Sequence, residues 1–548
     1  MTSPEVAELE TRSPVSAAEP VHRVTARSAV WQGFAGSVML LLGSLGVGWM
    51  ATGSSPLIRT WLFILARTTP AAVITCTVLL CVGALLMLRA WLRLRQHLEG
   101  WDPSSHRVLV KALALWTAPM MAALPLFSRD SYAYIGQGRL MQQGLDPYTN
   151  GISALSNYYN LGPDALWTEA PTPYGPIWLW LEQAAVGLAN GSPELALIPF
   201  RLASLLGVVL LAVYVPRLAA RHGLNPERTL WLVVLNPVLL INFIGSVHND
   251  SLMLGLVVAG IYYASAKHPV VGIVLVTLSI AIKPITLIAL PFVGLLWAGS
   301  QAGWLRKFGL WAATLAISMG IMAAMGVVNG LGFGWLAALN TPGAVWIWYA
   351  PVGLFSHTVG FMVTLLGGGA AGGVVTGVIQ TVGQGASILA VVALALVKVR
   401  PPRADGWRAD AVDDTRYSRA AMRRMAWAFA AVVLLAPMIQ PWYMLWLLAF
   451  FAVTGVKDGW PLRVVYFLSV FFTLIALTDQ LSVFQWIPVV LVRGVAIGVG
   501  VLGALWIMLW DRKVRGLFRP SVAARDEERD AAAERSVAAR RGAVNPGA

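Results

Sequence analysis

Residues 127 to 177 read FSRDSYAYIGQGRLMQQGLDPYTNGISALSNYYNLGPDALWTEAPTPYGPI. This run of Tyr, Asn, Asp, Gly and Pro interrupts a chain that is otherwise mostly apolar, and a polar segment of that length is a candidate active-site loop. Around it, the 548 residues are 57% hydrophobic and only 12% charged, with a mean hydropathy of +0.68. Such a chain has too little polar surface to cover a soluble globule, so it reads as an all-α, multi-pass membrane protein. Its 24 Trp and many Gly fit that class. The net charge of +14 marks loops retained in the cytosol and is a poor argument for a nucleic-acid partner.

Working outward from the loop, three apolar spans precede it, near 33 to 52, 70 to 89 and 108 to 127, each close to the roughly 20 residues that cross the hydrocarbon. Arg89, Arg93, Arg95 and Arg107 between the second and third place that connection in the cytosol, and hence the loop over 128 to 192 on the outer side. The apolar stretch 173 to 189 reads as a helix lying in the membrane plane. Counting it as a crossing would put Arg217, Arg221 and Arg228 outside. Further spans follow near 195 to 215, 229 to 246, 251 to 266, 269 to 283, 285 to 299 and 308 to 328. After an outer loop come others near 373 to 397, 425 to 439, 441 to 455, 461 to 478 and 486 to 510. The expectation is about 14 crossings (range 12 to 14) over residues 31 to 510, with both termini cytosolic. Residues 1 to 30 read as a disordered tail without a signal-peptide pattern, 399 to 424 as a cytosolic linker and 511 to 548 as a charged tail. Cys76 and Cys81, five apart on one helix, diverge and do not bridge.

Candidate chemistry gathers at three polar points. Asp130 follows directly on the third span, where a partly desolvated carboxylate suits a general base; pairing with Arg129 or capping of the next helix is the plainer role. Tyr132 and Tyr134 add faces on which sugars pack. His248, Asn249 and Asp250 form a short polar turn between spans, either to bind substrate or to cap the helix that follows. Lys283, before Pro284 at the end of a span, suits an anionic headgroup, or else snorkels to water. Arg201 and Arg493 are alternates for the same phosphate, or partners of carboxylates such as Asp479. The aromatic and proline-rich segments TPYGP (172 to 176), NTPGAVWIWYAP (340 to 351) and QPWY (440 to 443) supply Tyr174, Tyr349, Gln440, Trp442 and Tyr443, either as interface belts or as walls of a sugar cleft.

Together, an Asp after an early span, GLDPY (Gly144 to Tyr148), PYGP, the HND turn and the KP span resemble the polyprenol-phosphate-mannose-dependent α-(1→6)-mannosyltransferases of mycobacteria and corynebacteria, over about residues 30 to 510. The resemblance implies the GT-C glycosyltransferase fold at the plasma membrane, with a catalytic Asp in the first large outer loop, which matches Asp130. It implies transfer of mannose from polyprenyl-phospho-mannose to a lipid-anchored mannan, with inversion, in lipomannan and lipoarabinomannan precursor synthesis. The assignment of Lys283 to the leaving phosphate comes from charge placement alone. No metal or other cofactor is expected, since Asp130 stands alone where metal sites gather several carboxylates. A double displacement would need Asp250 or Glu169 as a second carboxylate. The rival class is a secondary transporter, but no paired broken helices in matching halves support it. A transferase of arabinose or glucose, or one acting on phosphatidylinositol mannosides, would share this pattern.

Overall fold

The computed structural model describes residues 20 to 98, 100 to 343, 345 to 398, 414 to 479 and 481 to 519; every regular element among them is a helix. Seven helices are long and apolar enough to cross a membrane: Ala26–Val47, Pro70–His97, Pro193–Arg221, Trp304–Val328, Gly369–Leu396, Trp460–Thr478 and Val489–Trp510. The pair Pro226–Val233 and Pro237–Gly245, bent by 48°, meets the same test only when taken together. The chain is therefore a membrane-embedded helical protein. Five shorter apolar helices, Asp250–Ser265, Pro269–Ile280, Pro284–Ala298, Pro351–Gly367 and Tyr443–Ala452, fall short of the length that crosses unaided. By length and composition, seven helices, or eight spans if the bent pair is one, cross a membrane unaided among the described residues.

Proline sets many of the helix starts. It stands at the first helical position of Pro70–His97, Pro103–Met120, Pro176–Leu188, Pro193–Arg221 and Pro269–Ile280, where its missing N–H has no partner to lose. Glycine sets the closest approaches. A Cβ on Gly36 would lie 2.6 Å from the Gly83 carbonyl oxygen, and one on Gly260 2.8 Å from that of Gly272, so both helix pairs pack backbone to backbone.

Several boundaries differ from the sequence reading. Residues 20 to 30, expected in the tail, begin the helix Pro20–Val47, while 1 to 19 lie outside the described residues. The helix Asp414–Leu435 starts inside the expected linker, whose residues 399 to 413 lie outside the described residues. The loop expected before 373 contains the helix Pro351–Gly367, which joins Gly369–Leu396 through Gly368 at φ 86°. Of the last segment, Arg515–Phe518 forms a 3-10 turn, and 520 to 548 lie outside the described residues. The helix Pro176–Leu188 has 13 residues, about 20 Å, too short to cross a core of about 30 Å. Cys76 and Cys81 are both free.

Two strained turns set up the site. Phe127 (φ 56°) and Val247 (φ 63°) both adopt the left-handed conformation that bulky and β-branched residues avoid. The backbone N–H of Leu126 donates to the Gly245 carbonyl (3.0 Å), so the two turns lie side by side. Each is followed within three residues by the polar groups of interest. The second emerges from a π-helical turn, Leu240–Gly245, a feature common beside functional sites.

Candidate active site

Asp130 is the first residue of the helix Asp130–Gln142, and its backbone N–H donates to the Ser128 hydroxyl (3.1 Å). Its carboxylate Oδ2 lies 3.3 Å from His248 Nδ1; the Asp130 side chain is 19% exposed and the histidine fully buried. The His248 ring packs on Trp442 with centroids 3.7 Å apart, and its carbonyl accepts from Ser204 Oγ (3.1 Å), which fixes the imidazole against the carboxylate. Burial would raise the Asp130 pKa. The contact and charge of His248, then the charge of Lys283 and the Ser128 hydroxyl, outweigh it and hold the carboxyl below the usual aspartate range. Asp130 is therefore ionised at neutral pH and able to accept a proton.

Behind this pair is a second charged unit. Lys283 Nζ donates to both oxygens of Asp250 at 3.0 Å each, and Trp446 Nε1 donates to Asp250 Oδ1 at 3.0 Å. The ammonium also sits 5.4 to 5.9 Å from the ring centroids of Trp446, Tyr443 and Tyr174. Tyr174 reaches it because the PYGP element is clamped to the turn before Lys283. Gly175 N–H donates to the Ile282 carbonyl and Ile177 N–H to that of Ala281, both at 2.9 Å. Only glycine fits at 175, since a Cβ would lie 2.5 Å from the Ala281 carbonyl oxygen.

These groups border a cavity of about 770 Å³. Asp130, Gln137, Trp167, Tyr174, Lys283, Gln384, Ser387, Gln440, Trp442, Tyr443 and Trp446 form its polar and aromatic lining. Ile285, Ile288, Ile388, Val391, Val432 and Leu435 form an apolar lining, largely from the helices Gly369–Leu396 and Asp414–Leu435. Lys283 is the one basic side chain lining it among the described residues.

The sequence candidates divide accordingly. Asp130, Tyr174, Lys283, Gln440, Trp442 and Tyr443 line the cavity, with His248 and Asp250 directly behind. Asn249 is buried beside them; its backbone N–H donates to Tyr134 Oη (3.4 Å), and its side-chain amide has no hydrogen-bond partner among the described residues. Asp250 begins the helix Asp250–Ser265, but its carboxylate is spent on Lys283 and Trp446. Arg201 is corrected: its guanidinium donates to the carbonyls of Met120 (2.9 Å) and Ala123, is buried, and lines no part of the cavity. Arg493 is likewise outside the cavity, on an exposed face of Val489–Leu505. Tyr132 donates to the Trp49 carbonyl (2.9 Å), Tyr134 packs among Tyr174, Trp178 and Phe200, and Tyr349 packs on Phe471 and Phe472. None of these three lines the cavity. The sequence reading missed Trp446, one helical turn beyond the QPWY element, and Gln137, two turns beyond Asp130. Helical periodicity from the residues already singled out would have reached both.

An ionised carboxylate and a paired lysine facing one cavity inside an apolar helical frame are the parts of a membrane-embedded enzyme. The pattern described as "Alpha-(1->6)-mannopyranosyltransferase, N-terminal domain" matches residues 30 to 299, and that described as "MptB C-terminal domain" matches 352 to 509. A probable alpha-(1->6)-mannopyranosyltransferase of Mycolicibacterium smegmatis is 31% identical over 461 residues, covering 78% of this chain and 79% of the relative. Alpha-(1->6)-mannopyranosyltransferase A of Mycobacterium tuberculosis is 32% identical over 427 residues, covering 76% and 78%. Alpha-(1->6)-mannopyranosyltransferase B of Corynebacterium glutamicum is 26% identical over 520 residues, covering 86% and 78%. No solved structure matches the chain. The chain belongs to the alpha-(1->6)-mannopyranosyltransferase family and is a glycosyltransferase.

Proposed function

We propose that this protein transfers mannose from polyprenyl-phospho-mannose to a lipid-anchored mannan, forming α-(1→6) linkages with inversion in lipomannan and lipoarabinomannan precursor synthesis. The observation that carries the reading is the double lining of the cavity: a carboxylate and a lysine for the reacting phospho-sugar, and an apolar wall for its lipid chain. Asp130 accepts the proton of the acceptor 6-hydroxyl as that oxygen attacks the anomeric carbon. The bond from that carbon to the phosphate oxygen breaks on the opposite face, and its electron pair leaves with the phosphate. Lys283, oriented by Asp250, meets the charge that develops there, and His248 keeps Asp130 ionised and in register. Tyr174, Gln440, Trp442 and Tyr443 border the bound sugar, with His248 and Asn249 packed behind them. The enzyme has the GT-C fold with about 14 crossings of the plasma membrane, its cavity opening outward and both termini in the cytosol.

The test is purified protein in nanodiscs with polyprenyl-phospho-mannose and a short α-(1→6)-mannoside, wild type against Asp130→Asn, with product linkage read by NMR. Wild type makes the α-(1→6) product, and the variant loses at least about a hundredfold in kcat while still binding donor. Full activity in the variant removes Asp130 from the chemistry. Transfer only from polyprenyl-phospho-arabinose or -glucose changes the sugar.

A further inference from the structure

The helix that begins at Asp130 turns three residues toward the cavity: Asp130, Ala133 and Gln137, spaced i, i+3 and i+7 on one face. From first to last this face runs about 10 Å along the axis, the reach of a disaccharide and not of one sugar. Ala133, between the other two, is small and leaves the space open. Gln137 is only 3% exposed, yet it lines the cavity. Its Oε1 accepts from Thr172 Oγ1 (3.0 Å), which fixes the amide plane, and its NH2 group has no partner among the described residues. The amide nitrogen is thus left to face the cavity, where a sugar hydroxyl can accept from it.

About 30 residues further along the chain, and lining the same cavity, is Trp167, half-buried on the short helix Ala165–Thr168. Its indole N–H also has no partner among the described residues. The backbone around it is held in place: Trp167 N–H donates to the Asp164 carbonyl (3.0 Å) and Thr172 N–H to that of Pro147 (2.9 Å). Gly151 packs against the Thr168 and Glu169 backbone, where no side chain fits. A rigid aromatic face with two neutral hydrogen-bond donors suits a carbohydrate.

We infer that Gln137 and Trp167 form a subsite for the acceptor sugar adjoining the one that reacts at Asp130. The inference rests on the transfer reading above and adds acceptor length to it: an acceptor of two or more sugars fills both positions, a single sugar only one.

The experiment uses full-length protein in nanodiscs at fixed polyprenyl-phospho-mannose, comparing a mannoside with an α-(1→6)-mannobioside carrying the same aglycone. Wild type favours the disaccharide by about tenfold in kcat/KM, the worth of a stacked ring or one well-placed hydrogen bond. Trp167→Ala and Gln137→Leu each bring that ratio toward one by raising the disaccharide KM and not the donor KM. Trp167→Phe, which keeps a ring, retains most of the preference. Equal use of both acceptors by wild type overturns the subsite alone, as does an unaltered ratio in the folded Trp167→Ala protein. A wild type that transfers to neither acceptor overturns the transfer reading and the subsite with it.

Discussion

Replacing Lys283 by Met separates its observed ion pair with Asp250 from the phosphate contact proposed above. Lys283 is 13% exposed and Asp250 1%, and the carboxylate takes three donors, two of them from the ammonium. Without Lys283, Asp250 keeps only the Trp446 N–H and no counter-charge, a situation that costs about 3–5 kcal/mol. Asp250→Asn leaves the lysine uncompensated and costs a similar amount. The double variant Lys283→Met, Asp250→Asn removes both charges at nearly constant volume, and its stability returns to within about 1 kcal/mol of wild type. Activity follows a different course. Lys283 is the one basic side chain lining the cavity among the described residues, so the single Met variant and the double variant both lose about 10²–10³ in kcat. Thermal unfolding in detergent, paired with turnover at matched folded fraction, reads the two effects apart. Recovery of activity along with stability in the double variant would mean that Lys283 serves only as the counter-ion of Asp250, and the assignment to the phosphate would fall.

Three further outcomes follow from the geometry. His248→Asn removes the strongest influence opposing burial at Asp130, so the carboxyl pKa rises and the acidic limb of the kcat/KM profile moves to higher pH; a limb that stays in place denies His248 this role. Gly175→Ala drives a methyl into the Ala281 carbonyl, costs about 1–3 kcal/mol and lowers kcat by moving Tyr174 away from Lys283, as unfolding and turnover assays would register. Val391→Trp obstructs the apolar lining, and should raise KM for long-chain polyprenyl donors while sparing short-chain analogues; equal effects on both would place the lipid elsewhere.

The parts of the site legible in the sequence were those whose polarity contradicts their surroundings. Asp130, the HND turn and Lys283 each stand out because a charge beside an apolar span needs a reason, and the structure gathers all three around one cavity. What the sequence withheld was the choice of partner. A buried arginine serves a phosphate or ties down a backbone turn equally well, and only the fold, which brings Arg201 to carbonyls about 80 residues away, decides for the turn. The pairing of Lys283 with Asp250 was hidden for the same reason. Breaks within a span were less legible: Asn236 and Pro237 bend one by 48°, and Pro284 opens a 3-10 segment before Leu290–Ala298. The helix Pro351–Gly367 escaped notice because its stretch carries no Lys or Arg by which charge could place it.

The clamp of Gly175 and Ile177 on Ala281 and Ile282 also governs how the protein is made. Its two halves leave the ribosome roughly a hundred residues apart, which at about 5–20 residues per second separates them by about 5–20 s. During that interval the polar segment has been synthesised, but the turn that will hold it has not. Until then the N–H groups of Gly175 and Ile177 lack the carbonyls that hold them in the fold. Truncation of the chain just before residue 281 would remove both the carbonyls of this clamp and Lys283, so that the segment carrying Asp130 loses its anchor and its lysine together.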